Sequence, residues 1–200
     1  RPCILKVKGV RIALIGAADA STGVRNFAGP ATSGVAPFDL EILCQKIKLM
    51  SSQADHILVS PHWGQERFRF PSPEQIRQAH KLIDAGASMI IGHHPHVIQG
   101  MELYQSHPVV YSLGNFLANH VYWDDGDFLT WNRFERTGGI LIIDMDKIGI
   151  KQVKQIPAYD NGKIIDIDKS GKGEQYLRKS NRMLVPEVTS VRYRREGFRV

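Results

Sequence analysis

Residues 55–97 read DHILVSPHWGQERFRFPSPEQIRQAHKLIDAGASMIIGHHPHV. Asp55–Ser60 opens the stretch as a short apolar run of strand length. Ser72-Pro73-Glu74-Gln75 then supplies an N-cap, a proline for the first helical position and a glutamine three residues on, a strong helix start. The helix runs to about Ala85 with Ile76, Ala79, His80 and Ile83 on one face, and Gly86 closes it. Ser88–Ile91 is the next strand. A strand–helix–strand crossover is overwhelmingly right-handed and lays its two strands parallel in one sheet. Ligands of such sheets bind outside the carboxyl ends of the strands. His62 follows the first strand, while His93, His94 and His96 follow the second, so all four histidines are predicted at one sheet edge.

Outward from this unit the alternation continues. Val10–Ala18 reads as a strand, and the Gly- and Pro-rich sequence to Pro37 as a long surface loop. In Phe38–Gln53, Leu40, Leu43, Cys44, Ile47 and Met50 form the stripe of an amphipathic helix. After Val97 short strands follow one another directly, at 97–104, 108–113, 138–146, 149–157 and 163–167, with a loop rich in Trp, Asp and Asn at 114–137. Gly173–Leu184 reads as a short basic helix. The fold class expected is therefore α/β.

Two hundred residues suit one domain, or one domain with a small appendage, and 42% hydrophobic with 23% charged residues exclude wholesale disorder. No apolar run approaches the roughly 20 residues of a membrane-spanning helix. Of the net charge of +6, residues 160–200 carry +4 and residues 1–159 only +2. Such a basic tail favours anionic partners or is simply solvated. It lacks interleaved aromatics, so nucleic acid is not expected. Cys3 and Cys44, the two cysteines, have no metal-site spacing.

Neutral imidazole suits Zn, Mn and Fe. If the GHHPH segment is extended, His94 and His96 share a side and can reach one ion, with His93 turned toward a supporting position or the substrate. Glu66 is a carboxylate ligand, a partner that holds a histidine tautomer, or a general base. Asn115 contacts substrate or shapes its turn. His56, His80 and His107 read as structural, Asp124, Asp125 and Asp127 as solvated loop charges, and Asn119-His120 as a weak metal candidate.

Ser60-Pro61-His62-Trp63-Gly64-Gln65-Glu66, Ile83-Asp84-Ala85-Gly86-Ala87, Gly92-His93-His94-Pro95-His96-Val97 and Tyr111-Ser112-Leu113-Gly114-Asn115-Phe116, in that order, resemble the CapA/PgsA-type capsule biosynthesis proteins associated with poly-γ-glutamate. The resemblance covers about residues 8–157. It implies a metallophosphoesterase-like layered β-sandwich flanked by helices, with a site for divalent metal (Mn, Zn or Fe, two ions in the intact protein) at the strand ends. His62, His94 and His96 are the implied metal ligands, with Glu66 and His93 in supporting catalytic roles. The family's Gly-Asp strand, acidic element and Asn-His element lie upstream of this segment. Residues 1–160 are accordingly expected to be the C-terminal part of such a domain, lacking its N-terminal strands, and 161–200 a basic extension. Loss of those strands is expected to leave an unpaired sheet edge. Also implied are an anionic polymer or phosphoester substrate, metal-dependent hydrolysis or a non-enzymatic polymer-handling role, membrane-bound capsule-synthesis partners, and the extracytoplasmic face of the cell envelope.

Overall fold

A computed structural model of the chain describes residues 2–23, 26–122 and 125–184. Its centre is a six-stranded sheet of β1 (Cys3–Val7), β2 (Val10–Ala18), β3 (His56–His62), β4 (Met89–Ile91), β5 (Met101–Tyr104) and β6 (His107–Val110), ordered β1-β2-β3-β4-β6-β5. Strands β2, β3, β4 and β6 are mutually parallel neighbours, and the outer β1 and β5 run antiparallel to them. The expected crossover is present, with His62 bridged in parallel to His93.

Helices α1 (Leu40–Met50) and α2 (Pro73–Asp84) cover one face. Asp39 caps α1, and Ser72 with Gln75 forms the full capping box of α2. Leu43 and Ile47 of α1 and Ala79, Leu82 and Ile83 of α2 bury against Ala13, Ile15, Ile57, Val59 and Ile90 of the sheet. The run Ile57-Leu58-Val59 is buried on both sides, as parallel strands between two layers must be. The opposite face receives a three-stranded sheet, β7 (Thr137–Met145), β8 (Ile150–Asp160) and β9 (Ile165–Ile167), in the order β9-β8-β7. Leu141, Ile143 and Val153 pack there on Leu58, Met89 and Val110. The result is helices, large sheet and small sheet in three layers.

The sequence reading starts the sheet at Val10, and the structure adds β1 in front. A two-residue turn, Lys8-Gly9, with φ of 48° and 84°, folds β1 back along β2 from Val7↔Val10 to Cys3↔Leu14. The edge of β2 is thus paired. The segment read wholly as loop at 114–137 contains a further two-residue pairing, Val121–Tyr122 with Phe128–Leu129.

Of the basic extension, residues 161–184 are described and 185–200 lie outside the described residues, as does Asp124. Helix α3 (Lys172–Arg182) buries Leu177, and Asn181 Oδ1 accepts from Met101 N of β5 at 2.9 Å. Its start is Gly171, which has no side chain to cap with. Buried Asp168 takes that role instead, accepting from Gly173 N (2.7 Å), Ser170 N (3.0 Å) and Arg133 Nη2 (3.2 Å). Burial alone would raise this carboxyl, yet those donors outweigh it and hold Asp168 below the usual carboxylate range. Asp168→Ala orphans these donors and is expected to cost about 2 kcal/mol in urea unfolding. A change under about 0.5 kcal/mol would mean that the apolar face of α3 alone anchors it.

Candidate metal centre

Three chain segments reach the carboxyl ends of β2, β3 and β4 and build the site. In the third, Gly92-His93-His94-Pro95-His96, the backbone departs from the extended conformation expected of it. His94 has φ 97° and His96 φ 58°. Left-handed backbone at non-glycine residues costs roughly 1–3 kcal/mol each and persists where the surroundings over-determine it, most often at functional sites. Here Trp63 N donates to His93 O (3.0 Å), Arg67 N to Pro95 O (2.8 Å) and His93 N to Pro61 O (2.9 Å). The bend still brings the two imidazoles together, with ring centroids 6.0 Å apart.

Glu66 arrives from the second segment through Gly64, whose φ of 88° suits glycine and whose N–H donates to Asp19 Oδ2 at 3.1 Å. One ligand atom from each of Glu66, His94 and His96 falls within a 4.8 Å cluster. His62 stands immediately beside it, its Nε2 3.1 Å from His94 Nδ1, so that one ring donates and the other accepts. It lies outside the three-residue cluster. His93 is held by backbone bonds next to His62, partly buried.

Burial pushes the His94 imidazole below its ordinary pKa, against an opposing pull from Glu66. Burial does the same to His93. His62 is lowered by desolvation first and then by the neighbouring imidazoles of His94, His93 and His96. All three are therefore neutral at pH 7, the form that binds metal.

Asn115 is engaged inside the protein. Its Oδ1 faces His96 Nδ1 at 2.7 Å, and its Nδ2 donates to Glu135 O at 3.0 Å. The amide orientation makes His96 Nδ1 the protonated nitrogen and leaves Nε2 free as a ligand. Trp131 packs on His96 with centroids 5.2 Å apart, Arg67 lies over Trp131 at 5.4 Å, and Arg67 Nε pairs with buried Glu135 at 3.2 Å. The loop read from sequence as Trp- and Asn-rich thus forms a wall of the site.

Asp19 is a site residue that the sequence reading does not single out. It follows β2 directly, one step past the register pair Ala18↔His62, and its N–H donates to His62 O at 2.9 Å. The rule that sites gather at carboxyl ends of parallel strands is signal enough to find it. The remaining histidines take structural partners: His56 with Asp146 O, His80 with Glu102, and His107 with Ser88 O. His120 packs against Tyr122 and Phe128, away from the cluster.

Two histidines and a carboxylate are the donor set of three-ligand sites that leave a coordination position open for water or substrate. The donor chemistry fits a divalent metal. Beside His62 lies a hollow of about 540 Å3 lined by Gly16, Ala18, Thr22, Asn26 and Val35, within the size range of small-ligand sites. If Asn115 orients His96, Asn115→Ala should weaken metal binding about 10–100-fold, as removal of such partners does elsewhere. Competition with a fluorescent chelator measures this, and unchanged affinity would show that Trp131 alone holds the ring.

A family model described as "Bacterial capsule synthesis protein PGA_cap" matches residues 1–120. The chain is 44% identical over 112 residues to a Bacillus subtilis protein named PGA biosynthesis protein CapA, covering 56% of this chain and 29% of that protein. It is 32% identical over 152 residues to the Bacillus anthracis capsule biosynthesis protein CapA, covering 73% and 36%. The chain thus spans about a third of the length of these curated relatives. Among solved structures, it superposes on a hypothetical protein from Thermus thermophilus with a TM-score of 0.52 at 13% identity, covering 80% of this chain and 62% of that one. It superposes on the sulfate thiohydrolase SoxB of Thermus thermophilus with a TM-score of 0.51 at 14% identity, covering 90% and 28%. At such identity the likeness shows the fold alone, a layered α/β architecture.

Proposed function

This chain belongs to the PGA_cap family of bacterial capsule synthesis proteins, and from that premise we propose that it acts in poly-γ-glutamate capsule assembly at the cell envelope, as part of a metal-dependent hydrolase. The observation that carries the reading is the convergence of Glu66, His94 and His96 on a strained backbone bend. Strained backbone of this kind clusters where side chains must be aimed at a ligand, which supports the reading.

His94, His96 and Glu66 would hold a divalent metal, which would supply Lewis acidity and lower the pKa of a water there, and Asn115 keeps His96 in the right tautomer. His62 and His94 share one proton between Nε2 and Nδ1, which gives His62 a route to accept or return a proton beside the ligands. The hollow beyond His62 takes the substrate. Its bond is a phosphoester or a γ-glutamyl amide; the relatives' names favour the polymer. None of the described helices is long and apolar enough to cross a membrane. The partners in this reading are the membrane-bound proteins of capsule synthesis, met through surface contacts.

Zn- or Mn-loaded protein is expected to cleave a γ-glutamyl oligomer or an aryl phosphate, and Glu66→Gln to lose that activity. In cells, the His94→Ala/His96→Ala form should fail to restore capsule to a deletion strain. Full capsule yield from that variant would overturn the enzymatic reading and leave a polymer-handling part whose metal site is dispensable.

A further inference from the structure

A second set of groups lies one loop away from the metal ligands. From Glu66 the chain continues through Arg67 to Arg69, and buried Gln99 fixes this path by donating from Nε2 to Phe68 O (3.0 Å) and Phe70 O (3.1 Å). Arg67 and Arg69, two residues apart, lie over successive aromatics of the facing loop, Trp131 at 5.4 Å and Phe134 at 4.7 Å. Phe134 meets Tyr176 of α3 edge-on at 4.8 Å. Between them is a hollow of about 270 Å3 lined by Arg69, Phe134, Tyr176, Lys179, Ser180 and Met183. A second hollow of about 320 Å3 adjoins it, sharing Lys179 and Met183 and adding Arg178 and Arg182.

Among the described residues neither Arg69 nor Lys179 has a carboxylate partner, and Arg178 reaches Glu174 only at 3.9 Å. Cations thus line both hollows, which share Lys179 and Met183, beside the aromatics Phe70, Phe134 and Tyr176 and the polar Ser180 and Gln175. Each hollow is near or below the low end of the roughly 300–1,000 Å3 that holds a whole ligand, which suits single residues of a longer chain. Arg69 is three positions after Glu66, so their Cα atoms lie at most about 11 Å apart.

We infer that these hollows bind consecutive carboxylates of a γ-linked glutamyl chain that extends from the Glu66–His94–His96 cluster. Such a chain keeps one free carboxylate per residue on an apolar spacer, which matches hollows that set Arg69, Arg178, Lys179 and Arg182 beside Phe134, Tyr176 and Met183. The inference rests on the capsule-polymer reading above and adds to it the place where the polymer is gripped.

The test is titration of a synthetic γ-linked pentaglutamate into the 200-residue chain at low ionic strength, followed by nuclear magnetic resonance. Signals of Tyr176 and Lys179 should move, and Arg69→Ala and Lys179→Ala should each weaken binding about tenfold, the loss of one charge-assisted contact. Lys179 is exposed, so its replacement leaves the fold intact. His94→Ala/His96→Ala should bind the pentamer through these hollows with shifts like those of the wild type. Pentamer bound equally by wild type and both charge variants overturns the subsite while the capsule reading stands. No binding by the wild type also overturns it, and capsule yield in the deletion strain then decides the broader reading separately. Displacement by inorganic phosphate at matching concentration would make this a general anion site and overturn the assignment to a glutamyl chain.

Discussion

Replacing His94 and His96 together by alanine is expected to abolish metal binding: from about one ion per chain after loading to none detectable by plasma mass spectrometry. Three donors converge within 4.8 Å, and the variant removes two of them. A single exposed carboxylate such as Glu66 does not hold a transition metal by itself, because Zn, Mn and Fe sites draw their affinity from several preoriented ligands. Metal-dependent stabilisation should vanish with it. A ligand at 100 times its Kd stabilises the folded state by about 2.7 kcal/mol, and the variant should show no such rise in Tm on metal addition. The alanines keep the left-handed backbone, which Cβ strains as before, so the apo variant gains no stability to mask the effect. Acidification gives a second readout. Burial lowers His94, so its neutral, metal-binding form persists below the ordinary histidine value near 6.5. Metal loss should therefore begin below that value as pH falls. In the unfolded chain the same histidine protonates first, so the apo fold loses stability as pH drops through this window and keeps it above. Full metal retention by the double variant would move the site to other residues, with His62 and Asp19 the nearest.

Much of this site was legible because the topology needed few symbols to specify it. A strand, a capped helix and a second strand place His62 and His93–His96 on one edge through a handedness rule, with no knowledge of side-chain contacts. What escaped depended on local backbone or on distant partners. The β1 hairpin turns on Lys8-Gly9, a weaker signal than Asn-Gly, and Cys3-Ile4-Leu5-Lys6-Val7 is apolar at four of five positions, so it shows no alternation that would mark the exposed edge strand it forms. The bend at His94-Pro95-His96 is set by bonds from Trp63 and Arg67, some thirty residues earlier in the chain, and no spacing rule contains them. Asn115 read equally well as a substrate contact or a turn former, since the His96 and Glu135 that occupy it are 19 and 20 residues away. Trp131 carried no motif at all, and its place against His96 follows from the Arg67–Glu135 pair that draws the two loops together.

The largest stability effect is expected from a residue with no side chain. Gly92 ends the β4 run and begins the histidine bend. Its N–H donates to Val110 O (2.7 Å), and its carbonyl accepts from Leu113 N (3.1 Å). A Cβ there would lie 2.0 Å from Tyr111 O and 2.7 Å from Trp63 Nε1. Neither can yield: Trp63 and Tyr111 are fully buried, and Trp63 Nε1 donates to that same Tyr111 O at 3.1 Å. In Gly92→Ala, β4 and β6 must separate or the indole must leave, either of which moves His93 and His94. The cost should reach about 4 kcal/mol, the range reserved for overpacking and broken buried bonds. For a chain of this size that lowers Tm by about 8–16 °C, out of a total stability of about 5–15 kcal/mol. Gly139→Ala is the matched control. Its Cβ would come within 2.4 Å of Gln155 Nε2, an equally severe distance on paper, but the obstacle is the end of a flexible side chain. That variant should lose less than about 1 kcal/mol, since Gln155 can swing away. Equal losses in the two variants would mean that proximity alone governs the cost. A selective loss at Gly92, with metal binding failing before the fold does, would show that the close approach of β4 to Tyr111 holds the histidine bend in its strained form.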